Sequence, residues 1–376
     1  MLKRILDFCK KEIILTIALI LAAVSAIFVQ PDKEYLSYID FRTLAILFCL
    51  MAVMAGLQKI GFFDYIAENL LQKVKNIKGL MTLLVMLCFF SSMLITNDVA
   101  LITFVPFTFI VLKLVLKEKT EKLLVPIVVL QTVAANLGSM LTPIGNPQNL
   151  YLYGISGLGL LDFVKIVLPY GAMSLVLLAG VCLLYPYKGE KAIAFELAQK
   201  TELKEHKFKI AIYAILFLIS VLTVAHIIPY GYALIIVALT IAILDRRVLL
   251  NVDYNLLFTF IGFFVFIGNM GRVPAFSNLL KAWMEGNEVV ISIVASQVMS
   301  NVPAALLLSG FTDKVDTLIV GTNLGGLGTL IASMASLISF KFVAKDYGHL
   351  KGKYMGYFTI VNIVFLAILF GTFLAL

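Results

Sequence analysis

The sequence has few charged residues, few histidines and cysteines, and none of the short motifs of nucleotide-driven proteins. Asp, Glu, Lys and Arg make up 14% of its 376 residues, whereas soluble domains carry about 25%. The three histidines and four cysteines are scattered without a CxxC or HExxH pattern, which argues against zinc and dithiol sites. No GxxxxGKS or GxxxxGKT loop is present, so ATP is not expected to drive this protein. No Ser/His/Asp or Cys/His constellation indicates an enzyme.

Apolar residues, in contrast, make up 61% of the chain, well above the 45–50% or so of soluble domains. This composition predicts an integral membrane protein whose main surroundings are the lipid bilayer. A spanning helix needs roughly 20 apolar residues. We read the basic N-terminus and the following run as an uncleaved first span. The apolar runs fall at 13–29, 43–57, 80–95, 99–116, 123–150, 161–185, 208–228, 231–244, 255–270, 289–310, 316–340 and 354–375.

The run at 289–310 is interrupted at Ser300-Asn301-Val302-Pro303. Each arm then has about ten residues, or about 15 Å of helix, which is half a bilayer. Two arms of this length predict a re-entrant hairpin that enters and leaves the membrane on one side.

The basic residues divide unequally between the two sides of the predicted membrane. With loops assigned alternately, 24 of the 30 Lys and Arg residues fall on one side, which the positive-inside rule makes cytoplasmic. We therefore expect a multi-pass protein of the plasma (inner) membrane, with the N-terminus cytoplasmic and the C-terminus outside. The net charge of +8 is explained by this orientation, and no nucleic-acid partner is expected. The six other basic residues are Lys33, Arg42, Lys165, Arg272, Lys281 and Lys314.

The chain divides into two similar halves. Residues 1–186 form a first repeat, 187–207 a polar cytoplasmic linker, and 208–376 a second repeat that includes an extra connecting span at 208–228. Each repeat contains an amphipathic segment, at 60–76 and 272–287, that we expect to lie in the membrane interface. The extra span makes the number of membrane crossings between corresponding elements odd. The second repeat is therefore predicted to be inverted relative to the first.

Matched motifs support the repeat. Ser92-Met-Leu-Ile-Thr96-Asn97 matches Ser296-Gln-Val-Met-Ser300-Asn301 at an offset of 204. The segment from Asn136 to Thr142 matches the segment from Asn323 to Thr329 at an offset of 187. Asp40 and Asp253 precede corresponding spans. The scaffold domain and the transport domain are each predicted to contain segments of both repeats. Inverted repeats with broken helices at the midplane are typical of secondary transporters.

The candidate binding chemistry lies at two predicted helix breaks, Thr142–Asn149, with two prolines and a glycine, and Gly325–Thr329, with three glycines. A helix interrupted inside a bilayer frees carbonyl and N–H groups that need partners, and freed carbonyls with Ser, Thr or Asn oxygens suit a hard cation such as Na⁺. Asp98 follows the first hairpin tip and is the sharpest candidate, because a carboxylate at bilayer depth is a functional hypothesis by default. From the sequence, Asp98 has three possible roles: a cation ligand, a proton carrier, or a hydrogen-bonded residue of the tip.

Three segments resemble the ion transporter superfamily, which includes divalent anion:sodium symporters, citrate carriers, arsenite permeases and some sodium/proton antiporters. They are SMLITNDVALITFVPF from Ser92, NLGSMLTPIGNPQNLYLY from Asn136 and SQVMSNVPAALLL from Ser296. The resemblance implies an all-α homodimeric elevator transporter with two re-entrant hairpins and two broken helices. In the dicarboxylate symporters each tip carries Ser-Asn-Thr. The third position is Asp98 in the first tip of this chain and Val302 in the second. Asn-Asp at the first tip is more similar to the arsenite permeases.

The sequence therefore predicts a secondary transporter of a small anion, best a di- or tricarboxylate, coupled to Na⁺ or H⁺ at two candidate cation sites and needing no other cofactor. A Na⁺/H⁺ antiporter or an arsenite or inorganic oxyanion permease is the alternative. The predicted substrate-binding residues are Thr96, Asn97, Thr142, Asn146, Gln148, Ser300, Asn301 and Thr329. The predicted cation-binding residues are Ser92, Asn97, Asp98, Gly138, Gly145, Ser296, Asn301, Gly325, Gly328 and Ser333.

Overall fold

The computed structural model describes residues 12–116, 120–186 and 203–376, and within these ranges it is helical without strands. Eight of the described helices are long and apolar enough to cross a membrane. The predicted all-α polytopic membrane fold is confirmed. Most of the predicted linker, at 187–202, lies outside the described residues, as do the basic residues of positions 1–11 and 117–119.

The described part of the first half contains eight helices besides a single turn at Tyr35–Tyr38. The predicted amphipathic segment 60–76 contains α3, and the predicted break in the run 123–150 separates α6 from α7. The helices are α1 (Ile13–Phe28), α2 (Phe41–Lys59), α3 (Phe62–Leu71), α4 (Ile77–Ile95), α5 (Asn97–Leu116), α6 (Thr120–Ser139), α7 (Pro147–Ser156) and α8 (Leu160–Leu184).

The second half repeats this order after one extra helix, α9. The predicted amphipathic segment 272–287 contains α12, and the break in the run 316–340 separates α15 from α16. The helices are α9 (Lys207–Val224), α10 (Tyr230–Asp245), α11 (Tyr254–Gly271), α12 (Pro274–Met284), α13 (Glu288–Met299), α14 (Asn301–Ser309), α15 (Val315–Gly325), α16 (Met334–Asp346) and α17 (Lys351–Ala375).

The two halves are interleaved in space. Helix α1 packs on α11 of the other half, and its counterpart α10 packs on α2. Each of the two receiving helices begins with a capping aspartate: Asp40 accepts a hydrogen bond from the Thr43 N–H, and Asp253 accepts one from the Leu256 N–H, both at 3.0 Å. An aspartate in this position satisfies a free N–H group at the helix start. The two contacts are therefore equivalent under the sequence repeat, in which α10 corresponds to α1 and α11 to α2.

Helix α6 lies at the centre of the described protein. Every residue of α6 except Glu121 and Lys122 is buried. It packs on α4 and α5 of the first hairpin and also contacts α16 and α17 of the second half. Its polar residues Gln131, Thr132 and Asn136 are buried, so they need hydrogen-bond partners within the protein.

The arms of the two hairpins differ in length. Helices α13 and α14 have 12 and 9 residues, about 18 and 14 Å, as predicted for a half-membrane hairpin. Helices α4 and α5 have 19 and 20 residues, about 28 and 30 Å, so each is long enough to cross. By length alone, these two arms could be two full spans. The depth of their tip in the protein distinguishes a re-entrant hairpin from two spans.

Polar contacts between distant loops support the predicted grouping of loops into two sides. On the predicted outer side, Arg272 bonds Asp32 at 2.7 Å. On the predicted cytoplasmic side, Lys59 bonds Asp245 at 2.5 Å. Both pairs join residues that the alternating assignment places on the same face. The hydrogen bond between Asp32 and Arg272 lowers the pKa of this exposed carboxyl group.

Candidate transport site

The two hairpin tips share one unusual backbone conformation. Thr96 and Ser300 have φ angles of 67° and 75°, a region that costs a non-glycine residue about 1–3 kcal/mol and is concentrated at functional sites. The following residues anchor the tips: the Asn97 N–H donates to the Gly145 carbonyl at 3.2 Å, and the Asn301 N–H donates to the Ala332 carbonyl at 2.9 Å. Each tip therefore ends at a broken helix in the protein interior.

The first break is held by its own amide side chains. Asn146 caps α7 by accepting from the Asn149 N–H at 2.9 Å, and Pro147 occupies the first helical position, where its missing N–H costs nothing. The Asn149 side-chain amide donates to the carbonyls of Ser139, Met140 and Thr142 at 3.4, 3.1 and 3.2 Å. The carbonyls freed by the break thus have partners, as a buried backbone requires.

Two reciprocal hydrogen bonds connect the halves at the breaks. The Ser333 hydroxyl of the second break donates to Asn136 Oδ1 at 3.0 Å. The Asn146 amide of the first break donates to Asn323 Oδ1 at 3.0 Å. Asn136 and Asn323 are related by the repeat offset of 187, and so are Asn146 and Ser333. Each half therefore completes the break of the other.

A small cavity of about 10 Å³ lies between the tips, enough for about one water molecule or one small cation. Two of the residues that line it carry a buried oxygen without a hydrogen-bond donor: Asp98 Oδ1 and Gln148 Oε1. Unpaired buried acceptors are costly, and a bound cation or proton would satisfy them. Its lining residues are Asn97, Asp98, Pro147, Gln148, Leu256, Asn301, Val302, Ser333 and Met334.

A larger cavity of about 150 Å³ adjoins the first tip and also includes Asp98. Its walls are mostly apolar, and they come from α2 and α11 on one side and from the first hairpin and α7 on the other. Two carboxylates, Asp98 and Asp253, line it, and among the described residues no Lys, Arg or His does. Its lining residues are Leu47, Leu50, Met51, Ala55, Gln58, Thr96, Asp98, Val99, Ile102, Ile144, Asn146, Pro147, Leu150, Asn251, Asp253 and Leu256.

Other predicted site residues lie outside both cavity linings, at close contacts between helices. Gly138 and Gly325 allow close contact between helices, because a Cβ on Gly138 would overlap the Phe89 carbonyl and one on Gly325 would lie 2.5 Å from Ser296 Oγ. Ser92 is buried and donates to the Phe89 carbonyl at 2.9 Å. Small residues at such crossings permit tight helix packing in membranes.

Two of the three predicted threonines, Thr142 and Thr329, hold the hairpins to the breaks and lie outside both cavity linings, whereas Thr96 lines the larger cavity. Thr142 donates to the Met93 carbonyl, and Thr329 donates to the Gln297 carbonyl at 3.2 Å. Gly328 has a φ of 111°, which permits the second break to turn. Ser300 is fully buried and its hydroxyl donates to the Ala332 carbonyl at 3.4 Å.

Sequence reasoning missed Asp253 as a site residue. The sequence pattern indicates Asp253 only as the counterpart of Asp40 and singles out Asp98, whereas both Asp98 and Asp253 line the larger cavity. The signal that could have identified Asp253 is its match to Asp40, since both aspartates precede corresponding helices. Within the described ranges, no group of three or more His, Cys, Asp or Glu residues is arranged to hold a metal ion. A cation at the tips would therefore be held mainly by neutral oxygens.

The sequence is similar to those of known membrane proteins and transporters. Residues 8–315 match the family model described as citrate transporter. The chain is 32% identical over 329 residues to an inner membrane protein of Escherichia coli, with 86% of each chain covered. It is 34% identical over 316 residues to an uncharacterized transporter of Methanocaldococcus jannaschii, with 82% of each covered. A silicon efflux transporter of Oryza sativa is 24% identical over 353 residues, covering 74% of this chain and 72% of the relative.

The match extends over most of the chain and includes the first hairpin, both tips and the first break. It confirms the resemblance to the ion transporter superfamily that the tip and break motifs indicated. The protein is therefore a membrane transporter that belongs to the citrate transporter family.

Proposed function

We propose that the protein is a secondary active transporter of a small oxyacid, coupled to Na⁺ or H⁺ bound at Asp98. The observation that carries this proposal is the pairing of two adjoining cavities. The smaller one has the size of a single cation and two unpartnered oxygens, and the larger one has room for a small solute. Asp98 lines both, so a cation held there would lie beside the solute.

The charge of the larger cavity limits the form of the substrate. Asp98 and Asp253 both line it without a basic side chain among the described residues. Two carboxylates repel an anion, and no guanidinium or ammonium group is present to pair with one. An oxyacid would therefore enter as its neutral, protonated form or together with a bound cation. The rice relative is a silicon efflux transporter, and dissolved silicon is an uncharged acid near neutral pH.

The volume favours a small inorganic oxyacid over a tricarboxylate. A cavity of about 150 Å³ is the size that holds a benzene molecule. Citrate has about twice as many heavy atoms as benzene, whereas arsenous acid and silicic acid have fewer. The di- or tricarboxylate predicted from the sequence stays a prediction and belongs in the same assay.

We also infer that transport follows the elevator mechanism. The larger cavity lies between α2 and α11 on one side and the first hairpin with α7 on the other. In this proposal the hairpins and broken helices move together against the other helices. Gln58 and Asn251 lie near helix ends that the charge bias assigns to the cytoplasm, so this arrangement corresponds to the inward-facing state. The proposed homodimer rests on the family resemblance alone, and the proposed plasma-membrane location on the charge bias of the loops.

The test is flux in sealed vesicles that contain the purified protein. Arsenite, silicic acid, citrate, succinate and sulfate are each offered under an imposed Na⁺ gradient and, separately, under a pH gradient. We expect gradient-driven movement of one of the two inorganic acids, and loss of the gradient effect in Asp98→Asn. Asp162→Asn, the same change at an exposed residue paired with Lys165, should behave as the wild type. Citrate transport without movement of either inorganic acid would overturn the substrate assignment.

One observation favours a second candidate, a Na⁺/H⁺ antiporter. The cation-sized cavity with a carboxylate needs no other substrate in order to exchange Na⁺ for H⁺. In the same vesicles an antiporter would acidify or alkalinise the lumen on addition of Na⁺ alone. Proton movement in the absence of every offered oxyacid would favour this function over oxyacid transport.

A further inference from the structure

The second hairpin carries a side chain that fills the break beside it. Gln297 Nε2 donates to the carbonyls of Gly325 and Leu327 at 3.0 and 2.9 Å and to the Ile293 carbonyl at 3.1 Å. Its Oε1 accepts from the Thr329 N–H at 2.8 Å. One amide group therefore contacts three carbonyls and one N–H group, two of the carbonyls and the N–H belonging to the second break.

The corresponding position of the first hairpin has no such group. The offset of 204 that aligns the tips places Met93 opposite Gln297, and a thioether cannot donate a hydrogen bond. Both residues use their backbone in the same way, since Thr142 bonds the Met93 carbonyl and Thr329 bonds the Gln297 carbonyl. At this position the two halves therefore differ in the side chain and share the backbone contact. In the first break Asn149 supplies the amide from α7, on the broken helix itself and not from the hairpin.

A second difference points the same way. The residue after the tip asparagine is Asp98 in the first half and Val302 in the second, at the same offset. After the tip asparagine the first hairpin thus has a carboxylate and the second an apolar side chain, whereas at the position of Gln297 the first has a thioether and the second an amide. Carbonyls freed inside a membrane need either a donor or a cation. In the first break Asn149 serves the carbonyls, but Asp98 Oδ1 and Gln148 Oε1 have no donor and suit a cation. In the second break Gln297 is the donor.

We propose that the amide of Gln297 takes the place of a second coupling cation, so that each transport cycle carries one cation, bound at the first tip. This inference rests on the proposed cation-coupled transport, and it proposes one cation site where the repeat predicts two. The predicted ligands Ser296 and Asn301 then serve to position the second hairpin. Ser296 already donates its hydroxyl to the Ser292 carbonyl at 2.7 Å.

The first experiment counts cations in the wild type. Uptake of the transported acid into vesicles is measured against Na⁺ concentration and against pH, and the reversal potential gives the number of ions per substrate. We expect one cation per cycle and a Hill coefficient of one, because the coefficient is bounded by the number of sites. Two cations per cycle would overturn the inference and leave the proposed function standing. Flux that ignores both Na⁺ and pH would overturn both.

The second experiment removes the amide. Gln297→Glu keeps the size and replaces the donor by a carboxylate, which should recruit a second cation and raise the Hill coefficient towards two. Gln297→Met copies the first half and should act in the same direction, which covers a failure of the first variant to fold. Gln72→Met, at an exposed position, is the control and should match the wild type. A folded Gln297→Glu or Gln297→Met protein that still carries one cation would overturn the role of the amide.

The reciprocal change gives an independent readout. Met93→Gln places an amide against the first break, where it should compete with the cation and lower the apparent Na⁺ affinity. Binding is also measured without transport, as the rise in thermal unfolding temperature with added Na⁺. We expect this rise to shrink in Met93→Gln and to grow in Gln297→Glu. A rise that is unchanged in both variants would contradict the inference.

Discussion

Asn136 and Asn323 occupy equivalent positions in the two halves, yet their replacement by aspartate should have very different effects. Both are buried and both accept a hydrogen bond from the opposite half. An Asn-to-Asp change keeps the shape and the accepting oxygen and removes the two N–H donors. The outcome at each position is therefore decided by what the amide nitrogen bonds.

At Asn323 the nitrogen makes two short hydrogen bonds, to Asn149 Oδ1 at 2.6 Å and to the Ile319 carbonyl at 2.7 Å. A carboxylate at position 323 would place an acceptor oxygen beside both of these acceptors. A protonated carboxyl group has one O–H and could donate to only one of them. At Asn136 the nitrogen makes only long contacts, to the Gly326 carbonyl at 3.4 Å and to Ser336 Oγ at 3.5 Å. The Ser336 hydroxyl can rotate and donate to the new carboxylate instead.

The expected difference follows from these contacts. A hydrogen bond between membrane helices contributes about 0.6–1.7 kcal/mol, and a buried acceptor left without a donor costs about 1–3 kcal/mol. The cost of burying a carboxyl group is common to both variants and cancels in the comparison. Asn323→Asp should therefore be less stable than Asn136→Asp by about 1–3 kcal/mol.

The buried cysteines provide the assay. Cys49, Cys88 and Cys182 are buried and unpaired, so a thiol-reactive dye should label them only when the protein unfolds on heating in detergent. Asn76→Asp is the control, because Asn76 caps α4 through its oxygen at 2.7 Å and aspartate caps equally well. The midpoint should be lowest for Asn323→Asp, with Asn76→Asp near the wild type. An Asn136→Asp midpoint at or below that of Asn323→Asp would refute the reasoning.

Three further predictions address packing, coupling and orientation. Gly138→Ala should abolish flux and lower the unfolding midpoint, since its Cβ would overlap the Phe89 carbonyl; a wild-type midpoint and rate would contradict this. Asp98→Asn should flatten the dependence of uptake on both Na⁺ and pH, measured at pH 6 and pH 8, because a proton and a cation compete for one carboxylate; unchanged curves would remove Asp98 from the coupling site. After Cys9→Ser, Ser37→Cys should react with an impermeant thiol reagent from outside intact cells and Gly352→Cys should not; the opposite labelling would invert the topology.

The sequence by itself determined the helices and their interruptions. Helix α1 begins at Ile13 as predicted, and both amphipathic segments contain the expected short helix. The breaks fall at the prolines, glycines and amides that the sequence marks, and both tips fall at the residue before the predicted asparagine. These features are local, because a helix ends where a few neighbouring residues cannot continue it. The pattern of breaks was also enough to indicate a transporter.

Only the tertiary structure decided which polar groups meet. The arms of the first hairpin are long enough for two spans, and the hydrogen bond between Asn97 and Gly145 is what locates their tip. The approach of Asp253 to the cavity of Asp98 and the insertion of Gln297 into the second break depend on helices far apart in sequence. In a membrane interior, polar groups must find partners within the protein, and the swapped packing of the halves selects those partners.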